Sequence, residues 1–145
     1  MTRFIGVDHG SRRIGVAVGD TETGMAFARA ALPNRAASSA ADAIRRLVEQ
    51  EGAALVVLGL PYEGDGSEGA QAGRVRIFGE RLERIGLEVV YEDERLSSWA
   101  AAEQLSDAGR RPSRSSGEVD SAAARVILQQ YLDRRRSPAR PEETT

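Results

Sequence analysis

The stretch that decides the fold is Phe4-Ile5-Gly6-Val7-Asp8-His9-Gly10-Ser11, followed closely by Ile14-Gly15-Val16-Ala17-Val18. Both apolar runs have the length of buried strands, and a short turn containing glycine and arginine joins them into a predicted hairpin. Asp8 ends the first strand, where a desolvated carboxylate must be paired, hydrogen-bonded or bound to a metal. The hairpin therefore predicts both the start of a sheet and a functional carboxylate at its edge.

The rest of the chain alternates between strand-like and helix-like segments. The predicted strands are Arg3–Asp8, Ile14–Asp20, Met25–Ala31, Ala54–Leu58 and Leu87–Tyr91. The predicted helices run from an N-cap at Ser38 to Gly52, over residues 68–85, from Ser97 or Ser98 to Ala108, and over Val119–Arg134. This order predicts an α/β fold, a mixed five-stranded sheet flanked by helices, in one domain over residues 1–136. The tail 137–145 has two prolines and no apolar periodicity, so we expect it to be disordered.

Composition narrows the chemistry available to the chain. It contains no cysteine, which excludes a disulfide framework and a thiolate metal site. Any metal must be held by oxygens or by the single histidine, His9, and this favours magnesium or manganese over structural zinc. No apolar run approaches the roughly 20 residues of a membrane span. We therefore expect a soluble, cytoplasmic protein with no membrane partner.

The charge balance does not point directly to nucleic acid. The formal net charge is −2 and the sequence pI is near 5.5, whereas dedicated nucleic-acid binders are usually basic. All 20 basic residues are arginine, and GC-rich coding is the simplest explanation of that bias. Arginine is nevertheless the better residue for forked contact with phosphate, so individual arginines can still serve binding.

Two further acids have settings like that of Asp8. Glu94 follows the strand-like run Leu87–Tyr91, and Asp120 lies in the first turn of the helix beginning at Val119. Function gathers at the carboxyl ends of strands in α/β sheets, and three clustered acids would repel one another unless a divalent cation joined them. Such a site suits phosphodiester hydrolysis by metal-activated water. Taken singly, Asp8 could instead be a turn residue and Asp120 a helix N-terminal acid.

Four segments, in order, resemble the YqgF or RuvX family, whose members are described as Holliday junction resolvases and as pre-16S rRNA nucleases. They are Gly6-Val7-Asp8-His9-Gly10 through Arg13-Ile14-Gly15-Val16-Ala17, Val57-Leu58-Gly59-Leu60-Pro61 with Asp65-Gly66, Asp93-Glu94-Arg95-Leu96-Ser97, and Val119-Asp120-Ser121-Ala122-Ala123-Ala124. The resemblance implies an RNase H-like fold and a nuclease that depends on Mg²⁺ or Mn²⁺. It also implies that the catalytic and metal-binding residues are Asp8, Glu94 and Asp120.

The chain departs from its relatives at two places near the last of these motifs. Relatives often carry a lysine just before the aspartate, where this chain has Glu118 after a loop over residues 110–117. Related resolvases also carry a fourth acid one helical turn past the aspartate, where this chain has Ala123 and Ala124. The second departure weakens the case for a second metal ion. Asp20 cannot replace the missing acid, because it lies at the far end of the hairpin, roughly 20 Å from the turn.

Other charged residues are further candidates for a part in the site or in substrate binding. Asp93 and Glu94 face opposite ways in a strand-like stretch, so only one can point at Asp8, and the resemblance favours Glu94. The side chain of His9 is expected on the face away from Asp8. Arg134–Arg136 are interpreted as a helix C-terminus favoured by the dipole. The candidates for nucleic-acid binding are Arg12, Arg13, Arg95, Arg110, Arg111 and Arg114, although Arg12 and Arg13 fit a solvated turn equally well.

Several functions are compatible with these observations. The leading one is a metal-dependent nuclease of structured nucleic acid that matures the 5′ end of pre-16S rRNA. An alternative is a Holliday junction resolvase acting on four-way DNA, which would need two sites related by a twofold axis. A different enzyme class is suggested by Asp8-His9-Gly10-Ser11, which resembles the first phosphate motif of actin- and hexokinase-like ATPases; those proteins need two such domains. The non-catalytic alternative is a module that binds nucleic acid or a transcription or ribosome component.

Overall fold

The computed structural model describes residues 1–94 and 118–136. Its elements are β1 (Arg3–His9), β2 (Arg13–Asp20), β3 (Ala26–Pro33), α1 (Ala37–Glu51), β4 (Ala53–Leu60), α2 (Ala70–Arg84), β5 (Val89–Asp93) and α3 (Glu118–Arg136). The predicted helix ending at Ala108 and the predicted tail 137–145 lie outside the described residues. None of the described helices is both long enough and apolar enough to cross a membrane.

The five strands form one mixed sheet in the order β3-β2-β1-β4-β5. β1 to β3 are joined as antiparallel neighbours, whereas β4 and β5 run parallel to β1. The parallel strands therefore end at the same edge of the sheet, where β1 finishes at His9 and β5 at Asp93. The predicted α/β architecture with a mixed five-stranded sheet is confirmed, and β1 lies at its centre.

Helices cover both faces of the sheet and divide the core in two. On one face, Ile5 and Val7 of β1 pack in a cluster that includes residues of α1 and α2. On the other face, Phe4 packs with residues of α3, among them Leu128. Because strand residues alternate between faces, Phe4, Gly6 and Asp8 all belong to the α3 face. The alternation along β1 thus determines which helix the carboxylate meets.

Gly6 permits the closest approach between α3 and the sheet. A Cβ atom added at Gly6 would lie 2.7 Å from the Cβ of Leu128 and 2.9 Å from the carbonyl oxygen of Ala124. Both distances are too short, and one of the two atoms is helix backbone, so α3 would have to move as a whole. Gly6 therefore sets the distance between the sheet and the helix that carries Asp120.

We expect Gly6→Ala to destabilise the protein by about 2 kcal/mol, because overpacking a close helix–sheet contact costs roughly 1–3 kcal/mol. Gly73→Ala is the matched control, since no atom lies within 4 Å of a Cβ added there. In an exposed helix interior, that change should be neutral or stabilise by up to about 1 kcal/mol. Urea unfolding measures the free energy of unfolding of both variants. Equal changes in that free energy would contradict the close approach of α3 to the sheet at Gly6.

The start of α1 differs from the prediction. The N-cap is Ala36, without a side-chain capping bond, rather than Ser38. Ser38 lies inside the first turn, and the hydroxyl of Ser39 donates to the carbonyl oxygen of Ala36. The backbone N–H of Ala40 donates to the carbonyl oxygen of Ala36 over 3.0 Å, so the first helical turn closes two residues before Ser38. A serine cap contributes only about 1 kcal/mol, which is too little to determine by itself where this helix begins.

Candidate active site

Asp8 lies where the prediction places it, near the carboxyl end of the central strand. It pairs with Gly15 across the hairpin, one residue before β1 ends at His9. Asp8 is half-buried and shares the α3 face of the sheet with Gly6. A rigid, central strand thus holds this carboxylate at the edge where the parallel strands terminate.

Glu94 immediately follows β5, and its side chain reaches Asp8 across the end of β4. The two carboxyl groups are hydrogen-bonded to each other. Burial, followed by the hydrogen bond and charge of Asp8, raises the pKa of Glu94 to about 8. Glu94 therefore keeps its proton at neutral pH unless positive charge is brought to the pair. Of the two adjacent acids, Glu94 is the one that the structure brings to Asp8.

Gly59 of β4 leaves the space in which the pair meets. A Cβ atom added at Gly59 would lie 3.6 Å from the Oε2 atom of Glu94 and 2.5 Å from the Cδ1 atom of Ile127. The strand between the two acids therefore has no side chain at the level of the carboxyl pair. A Cβ atom there would push against Ile127 of α3 and would be in ordinary van der Waals contact with Glu94.

The first turn of α3 is attached to the hairpin beside Asp8. The backbone N–H of Val16 donates to the Oγ atom of Ser121, which is completely buried, over 3.1 Å. Val16 pairs with Val7, the residue before Asp8. Asp120, which precedes Ser121, therefore has its backbone close to the level of Asp8. Its side chain lies outside what the structure describes, so a meeting of all three carboxylates stays a prediction.

One of the two alanines in place of a fourth acid, Ala124, has a packing reason. Ala124 is completely buried in the α3 face of the core, and its carbonyl oxygen lies against Gly6. A carboxylate at this position would be buried against the sheet without a partner, which is costly. The close packing of α3 on β1 therefore leaves no room for an acid at position 124.

Glu92 is a buried acid whose role the sequence analysis missed. Only 2% of the residue is exposed. Its carboxylate accepts hydrogen bonds from the Nε2 of Gln130 and the Nη2 of Arg134, each over 2.5 Å. Glu92 is on the α3 face, two residues before Glu94, so these bonds tie the strand leading to Glu94 to the helix that begins near Asp120. The alternation Val90, Glu92, Glu94 was the available signal that all three share one face.

Arg134 thus has a specific partner, in addition to the favourable position at a helix C-terminus that the sequence suggested.

His9 also lies as expected, on the opposite face from Asp8 and against Phe78, with ring centroids 4.8 Å apart. Burial lowers the pKa of His9, with Asp8 opposing the shift. Asp20 pairs with Arg3 at the other end of the hairpin, away from the carboxyl pair.

The hairpin turn that carries Arg12 and Arg13 is held by backbone contacts. The N–H of Gly10 donates to the carbonyl oxygen of Arg13 over 3.0 Å. The backbone N–H of Asn34 donates to the carbonyl oxygen of Arg12 over 2.9 Å. The side-chain amide of Asn34 also donates to the carbonyl oxygen of Gly10 over 2.7 Å. Both arginines are exposed and lie just after the end of β1, which finishes one residue past Asp8. The other candidates, Arg95, Arg110, Arg111 and Arg114, lie outside the described residues.

The carboxyl pair fits a divalent cation by the chemistry of its donors. Two carboxyl groups in direct contact, one with its pKa raised first by burial and then by the other, are stabilised when positive charge is placed between them. Oxygen-only donors of this kind suit Mg²⁺ and Mn²⁺. Among the side chains described in residues 1–94 and 121–135, no three acids or histidines form a ligand cluster. The pair formed by Asp8 and Glu94 is therefore the part of the predicted site that the structure brings together.

Comparison with known proteins places the chain among nucleases. Residues 2–134 match the family model described as RuvX, Holliday junction resolvase. A Synechococcus protein provisionally named a pre-16S rRNA nuclease is 41% identical over 141 residues, which cover 94% of this chain and 92% of that protein. A protein of the same name from Chloroflexus aggregans is 39% identical over 136 residues, covering 93% and 96% of the two chains.

Solved structures support the fold. RuvC from T. thermophilus, in complex with a Holliday junction substrate, aligns with a TM-score of 0.57 at 16% identity over 97% of this chain and 99% of that chain. The large terminase nuclease of a thermophilic phage aligns with a TM-score of 0.56, also at 16% identity, over 90% and 81% of the two chains. At this level of identity the likeness concerns the fold alone, and it confirms the predicted RNase H-like architecture.

Proposed function

Because this chain belongs to the RuvX family of Holliday junction resolvases, it is a nuclease that hydrolyses phosphodiester bonds, and we propose that it matures the 5′ end of pre-16S rRNA. The relatives at about 40% identity that bear the name pre-16S rRNA nuclease support this choice of substrate. We expect it to act in the cytoplasm on pre-ribosomal RNA, where ribosome or transcription components are its natural partners.

The observation that carries the proposal is the direct contact between the carboxyl groups of Asp8 and Glu94 at the carboxyl edge of the sheet. We propose that Asp8, Glu94 and Asp120 together hold Mg²⁺ or Mn²⁺ and are the catalytic residues. When bound, the ion would supply positive charge against the scissile phosphate and lower the pKa of the attacking water. A structural ion pair does not explain the contact, since both groups are acids.

The chain's own contribution is to place these acids rigidly. Asp8 lies in the central strand, and Glu94 is carried by β5, which the hydrogen bonds of Glu92 attach to α3. Gly59 keeps the space between them open on the α3 side. Arg12 and Arg13 lie just after the end of the strand that carries Asp8, and we propose that they contact substrate phosphates, since guanidinium groups bind phosphate in a forked geometry.

A cleavage assay on two substrates tests the function. The full chain is incubated with an RNA that contains the 5′ leader of 16S rRNA and, separately, with four-way junction DNA, each with Mn²⁺ and with EDTA. We expect Mn²⁺-dependent cleavage of the RNA. Cleavage confined to the junction would favour the resolvase alternative, which the description of the family as Holliday junction resolvases supports. Binding to either substrate without cleavage by the wild type would favour a non-catalytic module.

Metal binding can be measured without any substrate. We expect millimolar Mn²⁺ to raise the melting temperature of the wild type by several degrees, since a ligand at 100 times its dissociation constant stabilises by about 2.7 kcal/mol. Glu94→Gln should lose most of this increase, because it removes one carboxylate from the proposed site. Glu63→Gln, in the exposed loop after β4, is the matched control and should keep it. An equal Mn²⁺ response in both variants would contradict metal binding at the pair.

A further inference from the structure

The arginines of α2 differ in how their charge is used. The guanidinium of Arg76 donates to both carboxylate oxygens of Glu68, each over 2.7 Å, so its charge is neutralised by a forked ion pair. Arg74, on the same helix, contacts no carboxylate among the side chains described in residues 1–94 and 121–135. Its Nε and Nη2 atoms donate instead to the Oε1 atom of Gln71, over 3.1 and 2.8 Å. Arg74 is therefore held in a defined orientation by a neutral group, and its positive charge is retained.

Gln71 connects this guanidinium to the strand that carries Asp8. Its Nε2 atom donates to the carbonyl oxygen of His9 over 3.3 Å, and His9 directly follows Asp8. Gln71 and Arg74 are three residues apart on α2, so their side chains are neighbours on one face of the helix. The side-chain amide of Gln71 thus donates through its nitrogen to the end of β1 and accepts through its oxygen from the guanidinium of Arg74. This bridge positions a cation with respect to the end of β1.

The location of Arg74 suits contact with a large anionic substrate. Arg74 is exposed, and the turn that bears the exposed Arg12 and Arg13 begins at the same strand end that Gln71 contacts. Three arginines from two separate segments are thus gathered at the end of β1. An arginine that merely keeps the helix soluble would need no such bridge, whereas a phosphate-binding arginine gains affinity from being oriented beforehand.

We propose that Arg74 binds a backbone phosphate of the nucleic-acid substrate beside the carboxyl pair, and that Gln71 is the residue that positions it. This inference rests on the proposed function in one respect, namely that the substrate is nucleic acid. It adds to the binding surface a residue of α2, on the opposite face of the sheet from α3. The substrate therefore spans the sheet edge from the carboxyl pair to the first half of α2.

Binding in EDTA tests this proposal separately from cleavage. The probe is a fluorescein-labelled RNA hairpin with a single-stranded 5′ extension, and anisotropy is measured with the full chain at several KCl concentrations. We expect Arg74→Ala to weaken binding about 5- to 10-fold and to reduce the slope of log Kd against log[KCl] by about 0.7–0.9, the loss of one phosphate contact. Arg84→Ala, the same change at an exposed position near the end of α2, should alter the affinity less than about twofold.

The role of Gln71 has its own readout. Gln71→Ala should weaken binding less than Arg74→Ala and leave the salt slope unchanged, because the cation is still present. Adding Gln71→Ala to Arg74→Ala should cause no further loss. The proposal is overturned if Arg74→Ala and Arg84→Ala bind alike, or if Arg74→Ala weakens binding without reducing the salt slope. Failure of the wild type to bind the hairpin or junction DNA would overturn the proposed function as well, whereas binding without cleavage would affect that function alone.

Discussion

Replacing Asp8 by asparagine is expected to reduce cleavage by at least about a thousandfold while leaving the fold intact. Charge stabilisation by a bound cation contributes several kcal/mol to phosphoryl transition states, and about 4 kcal/mol corresponds to a factor of a thousand. An amide has nearly the shape of the carboxylate it replaces but cannot carry the negative charge that the cation requires. Single-turnover cleavage of the leader RNA in Mn²⁺ measures the effect.

Two controls separate a catalytic loss from a folding defect. The melting temperature of Asp8→Asn in EDTA should equal or exceed that of the wild type, because the substitution removes an acid from a carboxyl–carboxyl contact. Asp20→Asn makes the same chemical change at the other end of the hairpin, where Asp20 pairs with Arg3, and it should cleave like the wild type. Cleavage by Asp8→Asn at the wild-type rate would refute the proposed site.

Arg134→Ala should destabilise the protein by about 2–3 kcal/mol, although 63% of the arginine side chain is exposed. The cost arises at Glu92, whose side chain is completely buried and would keep only its hydrogen bond from Gln130 among the bonds described. Removing one partner of a buried ion pair costs roughly 3–5 kcal/mol, and solvent access at the arginine end reduces the figure. Urea unfolding measures this loss of stability, which should also lower the melting temperature by roughly 6–10 °C.

The double variant Glu92→Leu/Arg134→Ala distinguishes this explanation from a loss of helix packing. With both charges gone, no carboxylate is left buried without its cation, so the double variant should be more stable than Arg134→Ala alone. Arg84→Ala, an exposed helical arginine without a carboxylate partner among the described residues, should change stability by less than about 0.5 kcal/mol. If Arg134→Ala destabilised the protein no more than Arg84→Ala does, the burial of Glu92 would not depend on its ion pair with Arg134.

The local pattern of the sequence was sufficient to predict most of the strands and the position of Asp8. Alternation placed His9 on the face away from Asp8, because the faces of a strand are determined by a period of two residues. The resemblance to the family identified Glu94 rather than Asp93 as the partner of Asp8. The N-cap of α1 was predicted wrongly, since a capping preference of about 1 kcal/mol is too small to determine by itself where a helix begins.

By itself, the sequence determined the alternation of strands and helices, the hairpin with its terminal aspartate, and the family to which the chain belongs. These features follow from local periodicity and from motifs of contiguous residues. The tertiary structure alone decided that the carboxyl groups of Asp8 and Glu94 share a hydrogen bond, that Glu92 is tied to α3, and that Gln71 links Arg74 to the end of β1. The contacts of Asp8 with Glu94, of Glu92 with α3 and of Gln71 with His9 join residues at least 38 positions apart, and their energies depend on burial and proximity that exist only once the sheet has formed.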